Sequence, residues 1–401
     1  MKHDVISPAL ARATDAPALD PEAVVVLRHG NTEVRRLLNA LSVGFERVTV
    51  LPFIGLSFRP GQLDPSVRDL ANLTSSRLGR SERFPTLRNI FMDMQYSWIT
   101  QKLKALRAGT LIVWNGNKGE RVLLCHAARA LGMKIIFCEE TPFSQRLSID
   151  FNGVNYSNSL PRDTAFYLAW ARDHAVDQNV IETLRAQMVA RAPRKGSAVR
   201  QDRPAADLGN QRYIFCPLQV PGDSQLTMYG GWIKSIDLLI DLLADAAHRL
   251  PEGWSLRIKE HPSSPFSYAD KLKNIATNKF VVDNASDTFA QVKEAHAVLT
   301  VNSSVGIQSF LYNKPVITLG QAFYAFDDLT HQAGDAETLA ALLEQPEALT
   351  FDKEARRAFL SYLVDAHFPT RDDVAQGAFS VSEVIQRDAA RDSVMAQIAA
   401  A

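Results

Sequence analysis

The stretch from residue 109 to residue 138 constrains the fold most, because it reads as one complete strand, helix, strand unit. GTLIVW (109–114) has the make-up of a buried strand, NGNKG (115–119) of a tight turn, and residues 120–131 of an amphipathic helix stopped by Gly132, after which KIIFC (134–138) is a second strand. Strands joined across a helix run parallel, since only a crossover of a dozen or more residues returns the chain in the same direction. Uninterrupted apolar strands are buried on both faces, which points to a doubly wound sheet. Upstream, AVVVL (23–27) ends in Arg28, His29, Gly30, Asn31 and Thr32, and Val34, Leu37, Leu38 and Leu41 then recur at helical spacing. Residues 48–53 add a strand, residues 56–84 read as a long loop with short helices, and residues 95–106 read as a helix.

A second alternating series starts at residue 213. Strands are expected at 213–216, 255–259, 280–282, 297–301 and 315–319, with helices at 233–250, 267–276, 288–295 and 305–312. Helices at 336–343, at 353–366 and beyond Ser380 follow without further strands. Between the two series, ARAPRKGSAVRQDRPAADLGNQ (190–211) has no apolar period and reads as a linker. At about 100–200 residues per domain, 401 residues fit two. The expectation is therefore an α/β fold class with two Rossmann-like domains facing a cleft, 1–205 and 206–401, and ligands outside the carboxyl ends of the strands.

Charge and cysteines narrow the partners. The chain carries 44 Lys+Arg and 44 Asp+Glu, so it lacks the overall positive charge on which nucleic-acid binders rely, and no nucleic-acid partner is expected. Cys125, Cys138 and Cys216 lie in apolar surroundings at spacings that match no zinc site, and read as reduced core residues of a cytoplasmic protein. The first 21 residues contain acids and prolines where a signal peptide needs an apolar run, and nothing elsewhere approaches the roughly 20 apolar residues that span a bilayer. Membrane contact is expected to be peripheral at most.

Chemistry is expected at the strand ends. Lys259, Glu260, His261 and Pro262 close the SLRIK strand, where a cation and an imidazole suit a phosphate. Asn302, Ser303 and Ser304 open the 305–312 helix, with capping groups beside exposed amides, although any α/β protein caps helices this way. Asp223, in PLQVPGDS with Gln219 and Ser224, is placed either for a reacting centre or as a helix cap. Glu139 and Glu140 lie at the end of KIIFC, where an apolar wall or a neighbouring acid tunes a carboxyl for acid/base work. No Asp-x-Asp metal motif, Walker A loop, G-x-G-x-x-G after a strand or G-x-S-x-G elbow occurs, so neither a metal nor a cofactor is expected. Two Rossmann-like domains with phosphate-gripping groups in the second and carboxylates in the first describe a GT-B-type nucleotide-sugar glycosyltransferase.

An ordered set of strings carries a more specific resemblance. Trp114-Asn115-Gly116, Glu139, SIDFNGVN (148–155), PLQVPGDS (217–224), KEHP (259–262), NSSVG (302–306) and KPV (314–316) resemble the capsule polysaccharide biosynthesis and export family, which includes retaining β-Kdo transferases, over residues 113–320. The resemblance implies transfer of Kdo, an acidic deoxy-octulosonic sugar, from CMP-Kdo to a glycan or lipid-linked glycan acceptor in capsule or lipopolysaccharide synthesis. By that resemblance residues 206–401 take the CMP-sugar and residues 1–205 the acceptor. Asp223 is then the nucleophile and Glu139, or its neighbour Glu140, the general acid/base. Lys259, His261, Ser303 and Ser304 stabilise the leaving phosphate without a metal, and Arg28, His29 and Gln219 are candidates for the sugar carboxylate.

Two other readings compete. One is a transferase or epimerase of the same architecture using another nucleotide sugar. The other, open because fold alone never proves activity, is a non-catalytic glycan-binding component of a capsule assembly complex; the set Glu139, Asp223, Lys259, His261 and Ser303 argues against it, since a binding module has no use for a carboxylate beside a leaving phosphate. The Ala-rich ending DAARDSVMAQIAAA reads as a terminal helix, as a boundary to further glycosyltransferase or assembly domains, or as a peripheral attachment segment.

Overall fold

The computed structural model describes residues 18–59, 63–75, 84–188, 208, 211–264 and 267–400. The expected linker at 190–211 lies outside these residues except for Leu208 and Gln211. The chain forms two compact units: Met1–Glu139 with Ser148–Val154 and Thr370–Val384, and Glu140–Leu147 with Asn155–Pro369 and Ile385–Ala401.

The first unit's sheet contains β1 (Asp20–Leu27), β2 (Arg47–Leu51), β3 (Ala108–Trp114), β4 (Lys134–Glu140) and β5 (Leu147–Asp150), in the order β2-β1-β3-β4-β5. β1 runs parallel to β2 and β3, and β3 to β4. Val24, Val25 and Val26 of β1 are at most 1% exposed, so both faces of the strand are covered, as its unbroken apolar run requires. Helix Thr32–Leu41 starts where the Asn31 side chain accepts from the amides of Glu33 and Val34, and it buries Val34, Leu37, Leu38 and Leu41. Each such side chain contributes about 1.5–3 kcal/mol of burial. Helix Glu120–Ala130 ends before Gly132, whose φ of +78° makes the left-handed turn that glycine adopts without strain.

Helix Pro85–Leu106 begins ten residues before its expected start at Gln95 (95 − 85 = 10). Leu87 and Ile90 are exposed in its first half, which blurs the apolar period, and Pro85 fits the first turn because no amide is needed there. β5, only four residues long, escaped the sequence reading; its Leu147 and Ile149 alternate with Ser148 and Asp150, and all four side chains are buried.

The second unit's strands are β6 (Arg212–Pro217), β7 (Trp254–Lys259), β8 (Phe280–Val282), β9 (Ala297–Thr300), β10 (Val316–Thr318) and β11 (His331–Gln332). Their order is β11-β10-β9-β6-β7-β8, with every neighbouring pair parallel. Read from β8, this is the Rossmann strand order. Both units are thus Rossmann-like α/β assemblies, as the strand–helix alternation implied.

The division differs from the expected break at 205/206. Helices Thr164–Asp173 and Val180–Ala186 belong to the second unit, where Tyr167 packs edge-on to Phe359 at 4.8 Å, Phe166 to Tyr362 at 5.0 Å and Trp170 to Tyr362 at 5.2 Å. Conversely, residues 370–384 return to the first unit, where Arg371 pairs with Glu33 at 2.9 Å. A sequence read in order gives no sign of such returns, because aromatic partners nearly 200 residues apart share no local period.

The second sheet contains a buried ion pair. Arg257 on β7, 1% exposed, reaches Asp283 at 3.1 Å and Gln211 at 2.6 Å, with its guanidinium 4.8 Å from the centre of the Tyr213 ring. Burial pushes the Asp283 carboxyl upward, but the Ser286 hydroxyl and amide, Arg257 and the Ala285 amide outweigh it and hold the group below its ordinary value. Asp283→Ala leaves Arg257 buried without its partner, for an expected cost of about 3–5 kcal/mol near neutral pH. A depressed carboxyl adds stability that is complete above its unfolded value of about 3.9 and is lost as pH falls through the folded value. Urea unfolding should therefore show a gap between wild type and variant that is full near neutrality and closes below about pH 4. A gap constant with pH contradicts this assignment.

Candidate functional site

In the second unit the strand order reverses between β6 and β9, and the connections leaving their carboxyl ends diverge to open a crevice. Two side chains lock its floor. Gln219 Nε2 donates to Asn302 Oδ1 at 2.9 Å, the Asn302 amide donates back to Gln219 Oε1 at 3.1 Å, and Asn302 Nδ2 donates to the Gln225 carbonyl at 3.0 Å. Both residues are buried, so each relies on the other for hydrogen bonding. Gln219, expected to contact substrate, is engaged in holding one loop against the other.

Beyond Gln219 the chain turns through Gly222 at φ +72°. Asp223 then caps helix Ser224–Tyr229, its Oδ1 accepting from the Gln225 amide at 3.0 Å. Oδ2 has no hydrogen-bond partner among the described residues. The carboxylate is half-buried, and Ser224 beside it is buried. The cap and the reacting centre, set against each other in the sequence, are compatible: one oxygen holds the helix and the other faces no protein donor.

β7 lies on the far side of β6 from β9, so the 259–262 turn shares the same edge. Lys259 is buried, and its ammonium donates to the carbonyls of Asn284 at 2.7 Å and Ser286 at 2.8 Å. Burial lowers its pKa, against the nearby Asp283 and Asp287. It therefore braces the loop after β8. Glu260, also buried, accepts from the Tyr268 amide at 2.6 Å and from Asn284 Nδ2 at 2.8 Å, and its own amide donates to Asn284 Oδ1 at 2.8 Å. Nothing in the sequence singled out Asn284, whose role depends on a contact 24 residues away. His261 and Pro262 are half-buried. The Ser263 amide donates to His261 Nδ1 at 3.0 Å, so the neutral ring carries its proton on Nε2, the form that donates to an oxyanion.

Ser303 caps helix Ser304–Phe310, its hydroxyl accepting from the Val305 amide at 3.2 Å, and its carbonyl accepts from the Tyr324 hydroxyl. A Cβ on Gly306 would come within 2.2 Å of that hydroxyl, so the helix packs this closely only with glycine there. Ser303 and Ser304 are half-buried.

The first unit's order reverses between β1 and β3, and the connections after them carry Arg28, His29 and Asn115. Asn115 is buried at φ +69°, a conformation Asn tolerates better than most residues, and its side chain donates to Glu139 at the end of β4. Gly116 follows at φ +80°, where a Cβ would meet the Phe137 ring at 2.7 Å. Glu140 is exposed and falls within the second unit's segments, whereas Glu139 closes a first-unit segment beside Asn115. Arg28 is exposed, and the His29 ring lies 6.0 Å from that of Trp114. Two further cations come to this edge that the sequence reading passed over: Arg35 donates to the His29 and Gly30 carbonyls, and Arg121 to the Trp114 carbonyl. Their nearness to strand ends, eight positions after Leu27 and seven after Trp114, was the available signal.

Among the described residues no three His, Cys, Asp or Glu side chains come together as metal ligands, and no helix is long and apolar enough to cross a membrane. The three cysteines are buried and unbridged.

The sequence model of a family described as capsule polysaccharide biosynthesis protein matches residues 183–368. Protein FixF of Sinorhizobium fredii is 32% identical over 305 residues, covering 72% of this chain and 71% of FixF. The capsule polysaccharide export protein KpsS of Escherichia coli is 27% identical over 130 residues, 31% of this chain and 33% of KpsS, so the match spans only a third of that protein. Among solved structures, the β-Kdo 2,7 transferase KpsC of Thermosulfurimonas dismutans aligns with a TM-score of 0.48 at 14% identity, over 89% of this chain and 98% of that one. On the family match and the extent of its likeness to FixF, the chain belongs to the capsule polysaccharide biosynthesis family.

Proposed function

We propose that this protein is a retaining glycosyltransferase that moves Kdo from CMP-Kdo to a glycan or lipid-linked glycan acceptor in bacterial surface polysaccharide synthesis. The observation that carries the reading is Asp223: a carboxylate in the turn at the second unit's strand-order reversal, with one oxygen capping a helix and the other without a protein donor. Family membership and the motif set from Trp114 to Gly320 support the choice of substrate.

In the proposed reaction Asp223 Oδ2 attacks the anomeric carbon as the bond to the CMP phosphate oxygen breaks, giving a glycosyl ester and free CMP. The phosphate leaves as an anion and needs no proton. Helix-end amides at Ser303 and the Nε2 proton of His261 are suited to stabilise it. Lys259 contributes by fixing the loop after β8, and Ser304 and Pro262 shape the turns. In the second half Glu139 accepts the proton of the acceptor hydroxyl, whose oxygen attacks the same carbon and releases Asp223. Two inversions give retention. Glu139 is preferred to Glu140 because Asn115 holds it in place and Glu140 is exposed.

Because Asn caps helices about as well as Asp, Asp223→Asn removes the nucleophile while leaving the helix start intact. It should fold normally and fail to form the ester. With CMP-Kdo and no acceptor, mass spectrometry of Glu139→Gln should detect one Kdo residue attached at Asp223, and acceptor turnover in that variant should drop about 10²–10⁴-fold. Near-normal turnover in Asp223→Asn would sink the mechanism.

The donor is tested separately by calorimetry of the full chain in EDTA. CMP is expected to bind, more tightly than CDP or UDP, and His261→Ala to weaken it. A preference for UDP would move the protein to another nucleotide sugar, and the absence of any nucleotide binding would leave a glycan-binding component.

A further inference from the structure

The first unit's strand edge carries two guanidiniums that no carboxylate pairs among the described residues. Arg35 projects from helix Thr32–Leu41, with Nη1 on the carbonyls of His29 at 3.3 Å and Gly30 at 3.1 Å and Nη2 on the Thr32 hydroxyl at 2.8 Å. Arg121 projects from the first turn of helix Glu120–Ala130, with Nη1 on the Trp114 carbonyl at 3.1 Å. These contacts bring the guanidiniums to the two connections that flank the strand-order reversal, after β1 and after β3. Among the described residues neither has a carboxylate partner; each is held by backbone carbonyls or a hydroxyl instead. Burial, then the Arg121 and Arg35 charges, hold His29 below the ordinary histidine range. The Asn31 amide donates to His29 Nδ1 at 3.2 Å, so the neutral imidazole keeps its proton on Nε2 as a further donor.

Two half-buried guanidiniums and an imidazole N–H at the place where doubly wound sheets take ligands match a planar or tetrahedral oxyanion, which guanidinium grips with paired N–H groups. We propose that this edge binds an anionic group of the acceptor, a carboxylate or a phosphate monoester, between Arg35 and Arg121 with His29 as an additional donor. That the anion belongs to the acceptor rests on the transferase reading above; that the edge binds an anion does not. The assignment moves His29 from the donor sugar's carboxylate to the acceptor.

The test is calorimetry of the full chain at low ionic strength with glycerol 3-phosphate and glucuronate as probes, glycerol and glucose as neutral controls, and CMP as an independent ligand. At least one anionic probe should bind where its neutral control does not, and the better of the two identifies the group as phosphate or carboxylate. Arg121→Gln and Arg35→Gln should each weaken that binding at least fivefold and leave CMP affinity within twofold. Arg121→Lys, which keeps the charge without the paired geometry, should fall between, and this guards against a variant that merely misfolds. Equal binding of the neutral and anionic probes, or anion binding unchanged in both Gln variants, overturns the proposal. Anion binding lost in Arg121→Gln by a protein that ignores CMP would keep this site and overturn the transferase reading, whereas CMP binding without anion binding would do the reverse.

Discussion

In a parallel sheet every strand ends on the same edge, and that geometric constraint organises both units. Once β6 to β11 run one way, the connections after β6, β7 and β9 have to emerge together, whatever their sequences. The reversal of strand order between β6 and β9 then decides where a ligand fits, because the chain leaves the two strands in opposite directions. The same holds for β1 and β3. PLQVPGDS and NSSVG are 78 residues apart in the chain (302 − 224 = 78), yet this topology puts Gln219 on Asn302.

The polar residues at these edges have two kinds of duty. Gln219, Asn302, Lys259 and Glu260 are buried and hydrogen-bonded to backbone or to one another, which fixes the loops and leaves them little contact with anything outside. Asp223, His261, Ser303 and Glu139 are half-buried. A buried amide pair adds only about 1 kcal/mol per hydrogen bond, but an orphaned member costs about 1–3 kcal/mol, so such loops keep one conformation. Rigid braces beneath half-exposed chemical groups are what a preorganised site requires.

The sequence made the strand–helix alternation legible because strands covered on both faces carry runs of apolar residues, such as AVVVL in β1, LIVW in β3, IIFC in β4 and YIFC in β6. It also located the strand ends that carry Asp223, His261 and Asn302 in the second unit and Glu139 in the first. It did not reveal what each side chain does there. Lys259 and His261 are two residues apart, one turned inward to carbonyls and one half-exposed, and that difference depends on the loop after β8. β5 was missed because four residues, LSID, are too short a run for their alternation to mark a strand. The break at 205/206 was misplaced because Phe166, Tyr167 and Trp170 find their partners on helix Lys353–Tyr362 and not in the preceding sheet.

The interleaving of the two units bears on how the chain is made. Five junctions, after Glu139, Leu147, Val154, Pro369 and Val384, pass the chain from one unit to the other. A ribosome that has released the first 200 residues has delivered all strands of the first sheet but not the segment 370–384 that includes Arg371, the partner of Glu33. The usual order, in which an N-terminal domain finishes before the next begins, is closed to this protein. Neither unit has all its segments until residues beyond 369 have emerged, so the two mature together, and no single cut separates them into self-sufficient fragments.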